Sequence, residues 1–333
     1  MRARALFHVD SSQVALGEVE LPARGPRDVL VRVIASAISP GTERLIFKGD
    51  VPETAPLDIS ISELGGTFRY PFRYGYAVVG EVMEAAEPEI VGQRVFAFHP
   101  HQDLILMPAE HLQILPDEVP PERALFLPSM ETAVSLIQDA VPLLGERAVI
   151  FGQGVVGLLT LGILARIGLS DLVAVDPIAL RRQWSMDFGA RMALDPDEFL
   201  QRQEKILSDE EGYDLAFELS GRPEVLNDAV RSVGMDGRIV AGSWYGTRSA
   251  PIALGMEFHR RRQRLLASQV STIGSPLQLR WSKSRRMALA FEWLERLRPE
   301  RLITHRFPFD QCQSAFECLS GGTHDALQIL LEY

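Results

Sequence analysis

Cysteine is scarce in this sequence, which has only Cys312 and Cys318 among its 333 residues. The two lie six positions apart in a predicted C-terminal helix and have no partners elsewhere, which excludes a disulfide framework. The first nine residues lack the apolar run of a signal peptide and are typical of a strand. We therefore expect reduced thiols and a cytoplasmic protein.

A surplus of positive charge is missing as well, since the formal net charge is −10. An acidic surface does not attract nucleic acid or an anionic membrane, and we expect neither as a partner. No internal repeat or low-complexity linker interrupts the chain. The hydrophobic content of 46% and the charged content of 23% are typical of a globular protein, here long enough for two domains. The expected partner is a small-molecule substrate.

The most informative stretch is 148–157, with the sequence AVIFGQGVVG. Its apolar residues run directly into a G-x-G-x-x-G pattern, and a helical apolar pattern follows without a gap. This order predicts a strand, a tight turn and a helix. A second predicted strand, 172–175, ends at Asp176, nineteen residues after Gly157. The glycines and the interior polar residues argue against a membrane helix over the same apolar stretch.

Each glycine of the pattern has a physical role. Gly152 permits the sharp turn, Gly154 lets the backbone approach a pyrophosphate, and Gly157 lets the helix pack closely on the sheet. Free N–H groups at the start of the helix favour bound phosphates. Asp176 would accept hydrogen bonds from an adenosine ribose and repel a 2′-phosphate, so NAD(H) is favoured and NADP(H) is the second choice. The predicted cofactor-binding residues of this segment are Gly152, Gln153, Gly154, Val155, Val156, Gly157 and Asp176.

The rest of the chain shows two kinds of pattern. Residues 1 to about 120 contain short segments rich in β-branched and aromatic residues, which predict a small antiparallel barrel or sandwich. After about residue 121, helices and strands alternate, which predicts a parallel, doubly wound sheet with its ligand at the carboxyl ends of the strands. Four residues close two of those strands and are expected to face the cofactor: Ser220, Gly221, Gly242 and Ser243.

A β-rich first part, a Rossmann part and a C-terminal return resemble the medium-chain dehydrogenase/reductase superfamily of alcohol-dehydrogenase-like enzymes. The resemblance covers the whole chain, and four segments carry it: 149–157 with Asp176, 214–221, 237–242 and 302–305. Within the superfamily, 38–45 and 302–306 look most like the bacteriochlorophyllide dehydrogenase-like branch.

The resemblance implies an α/β fold with two domains. A Rossmann doubly wound parallel sheet, residues 123–276, would be inserted in a β-rich, GroES-like catalytic domain formed by residues 1–122 and 277–333. It also implies hydride transfer with a nicotinamide cofactor, and a homodimer. Thr132 matches a family position that contacts the cofactor.

The sequence departs from the zinc-dependent members of this family. The positions of their three catalytic zinc ligands correspond to Ser39, Tyr76 and about Leu127, and none of these side chains is a usual zinc ligand. The four-cysteine lobe that binds a structural zinc is missing too. We therefore expect no zinc, and hydride transfer must rely on hydrogen-bond donors and a general acid or base.

Four residues are the catalytic candidates. In the family, the loop that holds Thr42 and Glu43 lines the nicotinamide pocket, so Thr42 could relay a proton and Glu43 could act as a base; a glycine-stabilised turn and a surface acid are the alternatives. Tyr76 replaces a zinc-binding histidine and could donate to a carbonyl or simply pack as an aromatic plug. His101, which follows His99 in the place of the missing zinc lobe, is the preferred acid or base; the alternative is a solvent-facing loop histidine.

The basic run from His259 to Arg262 stands out in an acidic protein. It could bind an anionic group of the substrate, but ion pairs across a subunit interface or a solvated helix face fit the pattern better. Arg181 and Arg182 closely follow Asp176 and could relax the preference for NAD(H).

Together these features predict a zinc-independent oxidoreductase that moves a hydride between NAD(H) and a carbonyl or secondary alcohol of a small molecule. The first alternative is NAD(P)H-dependent reduction of an activated C=C bond or a quinone. The second, from another class, is a non-catalytic dinucleotide-binding protein, which would keep the glycines and Asp176 but not the polar pocket residues. Fold analogy carries no information on the substrate.

Overall fold

The chain forms two compact units in a computed structural model that describes residues 1–58, 61, 63–208, 212–321 and 326–333. The first unit is formed by residues 1–128 and 298–333, and the second by residues 129–297. The second unit therefore begins and ends later than the predicted Rossmann domain.

The strands, numbered in chain order, are β1 (Arg2–Asp10), β2 (Gln13–Glu20), β3 (Asp28–Ile38), β4 (Val78–Glu84), β5 (Arg94–Ala97), β6 (Leu104–Pro108), β7 (Leu112–Ile114), β8 (Arg147–Phe151), β9 (Asp171–Val175), β10 (Met192–Leu194), β11 (Tyr213–Glu218), β12 (Val233–Ala241), β13 (Arg264–Ala267), β14 (Ile303–Pro308) and β15 (Gln328–Glu332). The α-helices are α1 (Thr42–Phe47), α2 (Pro121–Ala124), α3 (Leu127–Ala140), α4 (Val155–Leu164), α5 (Ala179–Phe188), α6 (Pro196–Ser208), α7 (Leu226–Ser232), α8 (Lys283–Leu297) and α9 (Cys312–Ser320). Among the helices of the described residues, none combines the length and the apolar character needed to cross a bilayer.

The first unit is built on a largely antiparallel sheet around β3. This strand pairs with β4, β6 and β15, and the sheet runs in the order β14-β15-β3-β4-β5-β7 with β6 beside β3. Val29, Val31 and Val33 alternate along β3 and are buried together, as expected for a strand with one face on a core. β1 and β2 form a separate antiparallel hairpin. The β-rich character predicted for residues 1 to about 120 is confirmed.

The second unit is a six-stranded sheet in the order β10-β9-β8-β11-β12-β13, and every neighbouring pair is parallel. The predicted doubly wound sheet is therefore confirmed. Val149 and Ile150 of β8 are fully buried, as expected for a strand covered on both faces. The strand order reverses between β8 and β11, and in such sheets ligands bind at the carboxyl ends of the strands at this point. The edge strand β13 was not predicted, because its short sequence directly follows the basic run.

The later end of the second unit has a packing cause. Helix α8 turns Leu294 and Leu297 inward, and both are buried. A Cβ placed on Gly162 of α4 would lie 2.9 Å from a methyl carbon of Leu297, which shows how closely α8 and α4 pack. The apolar face of α8 therefore belongs to the second unit, although the sequence assigned this helix to the catalytic domain.

The turn between β8 and α4 requires glycine at two positions. Gly152 has a φ of 93°, a conformation that side chains rarely adopt. A Cβ on Gly157 would overlap the carbonyl oxygen of Gly152, whereas a Cβ on Gly154 would meet no atom within 4 Å. Glycine is thus needed at Gly152 for its backbone conformation and at Gly157 for packing, whereas Gly154 leaves open space above the backbone.

We expect Gly157→Ala to lower the free energy of unfolding by about 1–3 kcal/mol, because the added methyl group overpacks a tight backbone contact. Gly154→Ala is the matched control, and it should change stability by less than about 0.5 kcal/mol. Denaturant titration of both variants measures the difference. Equal losses in the two variants would contradict this account of the turn.

Candidate functional site

Asp176 ties the glycine-rich turn to the end of the neighbouring strand β9. Its carboxylate is buried and accepts the backbone N–H of Gln153 at 2.7 Å and that of Ile178 at 2.9 Å. Arg181 lies 3.9 Å from the same carboxylate, and Arg182 donates to the carbonyl oxygen of Asp176. Each carboxylate oxygen keeps further acceptor capacity for a ligand hydroxyl. The two arginines therefore flank the predicted ribose-binding acid, as considered from the sequence.

The predicted cofactor-binding residues of the glycine-rich turn differ in whether a ligand could meet the side chain or only the backbone. The Gln153 side chain is fully buried and donates to the carbonyl oxygen of Ile150, so it faces the sheet. Val155 is buried and Val156 half-buried, so these residues could meet a ligand only through their backbone N–H groups. Helix α4 begins here without a side-chain cap, and the first N–H groups of a helix have no partner inside it. The turn offers backbone donors and open space above Gly154.

A second polar cluster follows β11 at the same edge of the sheet. The Glu218 carboxylate is fully buried and accepts the Ser220 backbone N–H at 2.7 Å, the Ser220 hydroxyl and the Tyr245 hydroxyl at 2.6 Å. The Ser243 hydroxyl accepts the Gly221 N–H at 2.9 Å. The sequence placed the serines and Gly221 here but gave no reason to select Glu218 or Tyr245.

Gly242 is the fourth predicted residue of this cluster. A Cβ on it would lie 2.6 Å from side-chain carbons of both Leu136 and Leu219, so its small size is a packing requirement. Its backbone N–H donates to the carbonyl oxygen of Glu218. Gly242 therefore joins the loop after β12 to the loop after β11.

Thr132 is half-buried in helix α3, next to a buried ion pair. Arg286 donates to the Glu131 carboxylate from Nη2 at 2.8 Å and from Nε at 3.0 Å. The same guanidinium donates to the carbonyl oxygens of Thr272 and Val270, in the segment that follows β13. The helix that carries Thr132 is thus fixed to a loop at the carboxyl edge of the sheet. Sequence analysis missed Arg286, because a single arginine in a charged helix gives no signal of burial.

The first unit contains a buried hydrogen-bonded chain around Glu43. Glu43 and His101 are both fully buried, and the carboxylate lies 2.8 Å from the His101 Nε2 atom. The other carboxylate oxygen accepts the Ser39 backbone N–H at 2.7 Å. His101 Nδ1 lies 2.7 Å from the Ser36 hydroxyl, which in turn lies 2.9 Å from the Tyr333 hydroxyl. Both ring nitrogens of His101 are therefore used inside the protein.

Tyr76 and Thr42 complete this cluster. The Tyr76 hydroxyl is hydrogen-bonded to the side chains of Ser39 and Thr42. Burial raises the pKa of Tyr76 to about 12, and the nearby Glu43 carboxylate contributes to the rise. The Tyr76 ring also packs edge to face on Tyr74, with 6.0 Å between the ring centroids. The four predicted catalytic residues thus lie in one hydrogen-bonded group.

The residues matched to zinc ligands do not fit a zinc ion. Ser39 and Tyr76 present hydroxyl groups, and Leu127 is fully buried in the core. Structural and catalytic zinc sites use cysteine, histidine and carboxylate ligands in sets of three or four. Across the residues that the structure describes, no group of three or more such side chains is arranged to hold a metal ion.

His8 is a buried titratable residue that sequence analysis missed. Its ring stacks on Phe72 at 5.0 Å and meets Phe316 edge to face. Within the described ranges, neither ring nitrogen has a hydrogen-bond partner. Burial lowers the pKa of His8 to about 3, with a smaller contribution from His101. Nothing in the sequence around His8 distinguishes it from an exposed strand residue.

The basic run makes its contacts inside the second unit. Arg261 donates to the carbonyl oxygens of Arg231 and Val233, and Arg262 donates to the Asp236 carboxylate at 3.1 Å. These bonds hold the chain where it enters β13. Two members of the run therefore have a structural role that the sequence did not indicate.

Comparison with known proteins agrees with this architecture. A family profile described as "Zinc-binding dehydrogenase" matches residues 155–291. The chain is 24% identical to an L-threonine 3-dehydrogenase from Xanthomonas euvesicatoria pv. vesicatoria, over 92% of this chain and 93% of the relative. These sequence matches support membership of the medium-chain dehydrogenase/reductase superfamily. They also support a dehydrogenase activity of the medium-chain type.

Solved structures share the fold at low sequence identity. A 2R,3R-butanediol dehydrogenase from Bacillus subtilis has a TM-score of 0.80 and 21% identity, with 99% of each chain covered. An alcohol dehydrogenase from Escherichia coli CFT073, complexed with NADH, has a TM-score of 0.79 and 17% identity, with 100% of this chain and 99% of that chain covered. Both likenesses confirm the predicted fold of two units.

We expect the stability of the protein to fall as the pH is lowered below about 6.5, the pKa of a histidine in an unfolded chain. His8 stays neutral in the folded protein down to a pH of about 3. Between these values the unfolded chain binds a proton that the folded chain does not, which costs up to about 1.4 kcal/mol per pH unit.

His8→Leu should reduce this slope, because leucine keeps the packing without the titratable ring. The exposed His259→Leu variant is the control and should keep the slope of the original protein. Urea unfolding near pH 7 and near pH 5 measures both. Identical slopes in all three proteins would show that His8 does not carry the effect.

Proposed function

We propose that this medium-chain dehydrogenase moves a hydride between NAD(H) and a carbonyl or secondary alcohol of a small molecule, without zinc. The observation that carries the proposal is the Asp176 carboxylate bonded to the Gln153 N–H. This bond fixes an open glycine-rich turn at the reversal point of a parallel sheet, the location where dinucleotides bind in such folds. The NADH in the related E. coli structure supports the same choice of cofactor.

The second unit supplies groups suited to a dinucleotide. The open backbone at Gly154 and the start of α4 would hold the pyrophosphate, since N–H groups and the helix dipole favour negative charge there. Asp176 would accept the ribose hydroxyls through the acceptor capacity that its two backbone bonds leave. Thr132, Ser220, Gly221, Gly242 and Ser243 remain the proposed contacts for the rest of the molecule. When bound, the nicotinamide supplies or accepts the hydride.

Tyr76 is the proposed proton donor in the first unit. With a pKa of about 12 the phenol keeps its proton at neutral pH, so it can donate a hydrogen bond to a carbonyl oxygen that gains negative charge. The hydroxyls of Ser39 and Thr42, bonded to the phenol, can relay a proton from solvent back to it after the reaction. In the alcohol-oxidising direction the same path runs in reverse.

Glu43 and His101 are proposed to act through their neighbours. The sequence gave His101 the role of acid or base, but its burial and its two internal hydrogen bonds point to a positioning role instead. The Glu43 carboxylate holds the Ser39 backbone, and Ser39 bonds the phenol. The buried pair therefore fixes Ser39 and the start of α1, where Thr42 lies, beside the Tyr76 phenol.

The zinc-independent part of the proposal follows from the donor set. Without a metal to polarise the substrate oxygen, the stabilisation must come from oriented hydrogen bonds. The Tyr76 hydroxyl, held by two side chains, is such a donor. A homodimer, a cytoplasmic location and a small-molecule substrate complete the proposal.

We expect the protein to bind NADH more tightly than NADPH, and Asp176→Ser to weaken NADH binding by about 10-fold or more through the loss of charge-assisted hydrogen bonds. Fluorescence titration with both nucleotides measures this. The exposed Asp187→Ser is the control on the following helix and should leave both affinities unchanged. A preference for NADPH would contradict the role of Asp176 and favour the C=C bond or quinone reductase as the activity.

We expect Tyr76→Phe to lower kcat by about 100-fold or more, the usual loss when a proton donor is removed, while the dissociation constant for NADH stays unchanged. The phenylalanine keeps the packing on Tyr74, and Tyr70→Phe serves as the control for removal of a nearby phenol. Steady-state rates on a panel of small ketones, with NADH titration beside them, give the comparison. A Tyr76→Phe protein with undiminished kcat would exclude the phenol as donor.

A further inference from the structure

The segment 71–76 carries a cation that the proposed reaction does not use. Arg73 is half-buried, and burial lowers the pKa of its guanidinium. Two residues later, Gly75 lies so close to the His101 ring that a Cβ there would be 2.7 Å from it. The backbone N–H of His101 donates to the carbonyl oxygen of Tyr74 at 3.2 Å. Arg73 therefore belongs to the backbone segment that packs against His101 and carries Tyr76.

The guanidinium is held by a buried amide. Arg73 Nη1 donates to the Gln102 Oε1 atom at 2.7 Å. Gln102 is 1% exposed, and its Nε2 donates to the carbonyl oxygen of Leu104, which fixes which amide atom faces the arginine. Along the described part of the chain, no carboxylate forms an ion pair with Arg73, and its other guanidinium nitrogens have no partner. The arginine is therefore oriented but not neutralised.

His99 lies near this guanidinium and presents a neutral ring. It is 7% exposed, and Nδ1 donates to the Pro100 carbonyl oxygen at 2.8 Å, so the unprotonated nitrogen is Nε2. Burial lowers the pKa of His99 to about 4, and the Arg73 charge adds to the lowering. The Glu63 carboxylate acts on His99 in the opposite sense, but it is hydrogen-bonded to His111 at 3.1 Å. At neutral pH His99 is therefore uncharged beside Arg73.

A half-buried cation without a counter-ion is costly, and proteins normally pair such a charge or use it to bind an anion. The remaining nitrogens of a guanidinium match two oxygens of a carboxylate or phosphate in a bidentate arrangement. Among the described residues the partner of Arg73 is a neutral buried amide, which orients the guanidinium without neutralising its charge. These properties differ from those of Arg123, which is bonded to the Glu300 carboxylate through two nitrogens.

We propose that Arg73, oriented by Gln102 and bordered by His99, is a subsite for an oxyanion group of the substrate, either a carboxylate or a phosphate ester. As a substrate subsite it rests on the proposed function. It narrows the substrate class to secondary alcohols and ketones that carry an acidic group. Two arginines of the basic run, for which this role was only one of the possibilities considered from the sequence, are bonded within the second unit.

The first test uses anion binding without turnover. The melting temperature of the full-length protein is followed against inorganic phosphate and, separately, acetate, with chloride exchanged to keep the ionic strength constant. Stabilisation by a bound anion should appear in the original protein and in the Arg69→Met control, which removes an exposed arginine four residues before Arg73. It should be smaller in Arg73→Met, which keeps the proposed pyrophosphate site at the start of α4. Equal stabilisation of all three proteins would overturn the proposal.

A second measurement needs no variant and guards against misfolding of Arg73→Met. Phenylglyoxal modifies accessible arginines, and mass spectrometry of peptides reports Arg73 and Arg69 separately. Phosphate or acetate should slow modification of Arg73 and leave that of Arg69 unchanged. Equal slowing at both residues, or at neither, would contradict a subsite at Arg73. The anion that protects better identifies the carboxylate or the phosphate as the preferred group.

The third measurement uses matched substrates. For 3-hydroxybutyrate against 2-butanol, and glycerol 3-phosphate against glycerol, Arg73→Met should raise KM for the anionic member by about 10-fold or more. The uncharged member should be unaffected, as should the NADH dissociation constant. Equal changes for both members of a pair would overturn the specificity role. Failure of the original protein to bind NADH would instead defeat the proposed function, while the anion measurements would still be interpretable.

Discussion

The buried hydrogen bond between Glu43 and His101 is the fixed point of the proposed reaction site. A fully buried carboxylate is stable only when its oxygens are hydrogen-bonded. Glu43 meets this condition with His101 on one oxygen and the Ser39 backbone on the other. Because Ser39 also bonds the Tyr76 phenol, the position of the donor depends on this carboxylate. The same cluster extends through Ser36 to Tyr333, so the residue that follows β15 helps to hold it.

Buried, hydrogen-bonded carboxylates fix polar loops in the second unit as well. In the second unit a buried acid, Asp176, joins the glycine-rich turn to the next strand, and Glu218 joins three donors at the end of β11. Backbone N–H groups donate to both carboxylates; hydroxyl groups add to them at Glu218, and Arg181 lies 3.9 Å from Asp176. Such groups are fixed in place before any ligand arrives, which is the condition for electrostatic stabilisation of a transition state.

The sequence was sufficient for the fold because its signals are local and repeated. The glycine pattern between strand and helix and the alternation of helices with strands both depend on neighbouring residues, and both are confirmed. The limits of the second unit depend on which helix packs against which, and the burial of Leu297 beside Gly162 has no local signature. For the same reason the short edge strand β13 was missed.

The sequence predicted which residues form the candidate site but did not predict the role of each. Thr42, Glu43, Tyr76 and His101 were selected by their correspondence to positions of the family, and the structure brings them together. The division of roles among them depends on burial and on hydrogen bonds between residues far apart in sequence, such as Ser36 with His101. The missed residues, among them His8, Arg73 and Glu218, are ordinary in composition. Their burial and their hydrogen bonds depend on residues that only the fold brings near them.

Hydride transfer without zinc is the central claim, and deuterium transfer in metal-depleted protein tests it most directly. The protein is treated with a chelator, its metal content is determined by mass spectrometry, and it is incubated with NADH deuterated at C4 and a panel of small ketones. The account predicts deuterium in the product alcohol at an undiminished rate, with zinc far below one atom per chain. Transfer that appears only after one zinc per chain is restored would contradict it.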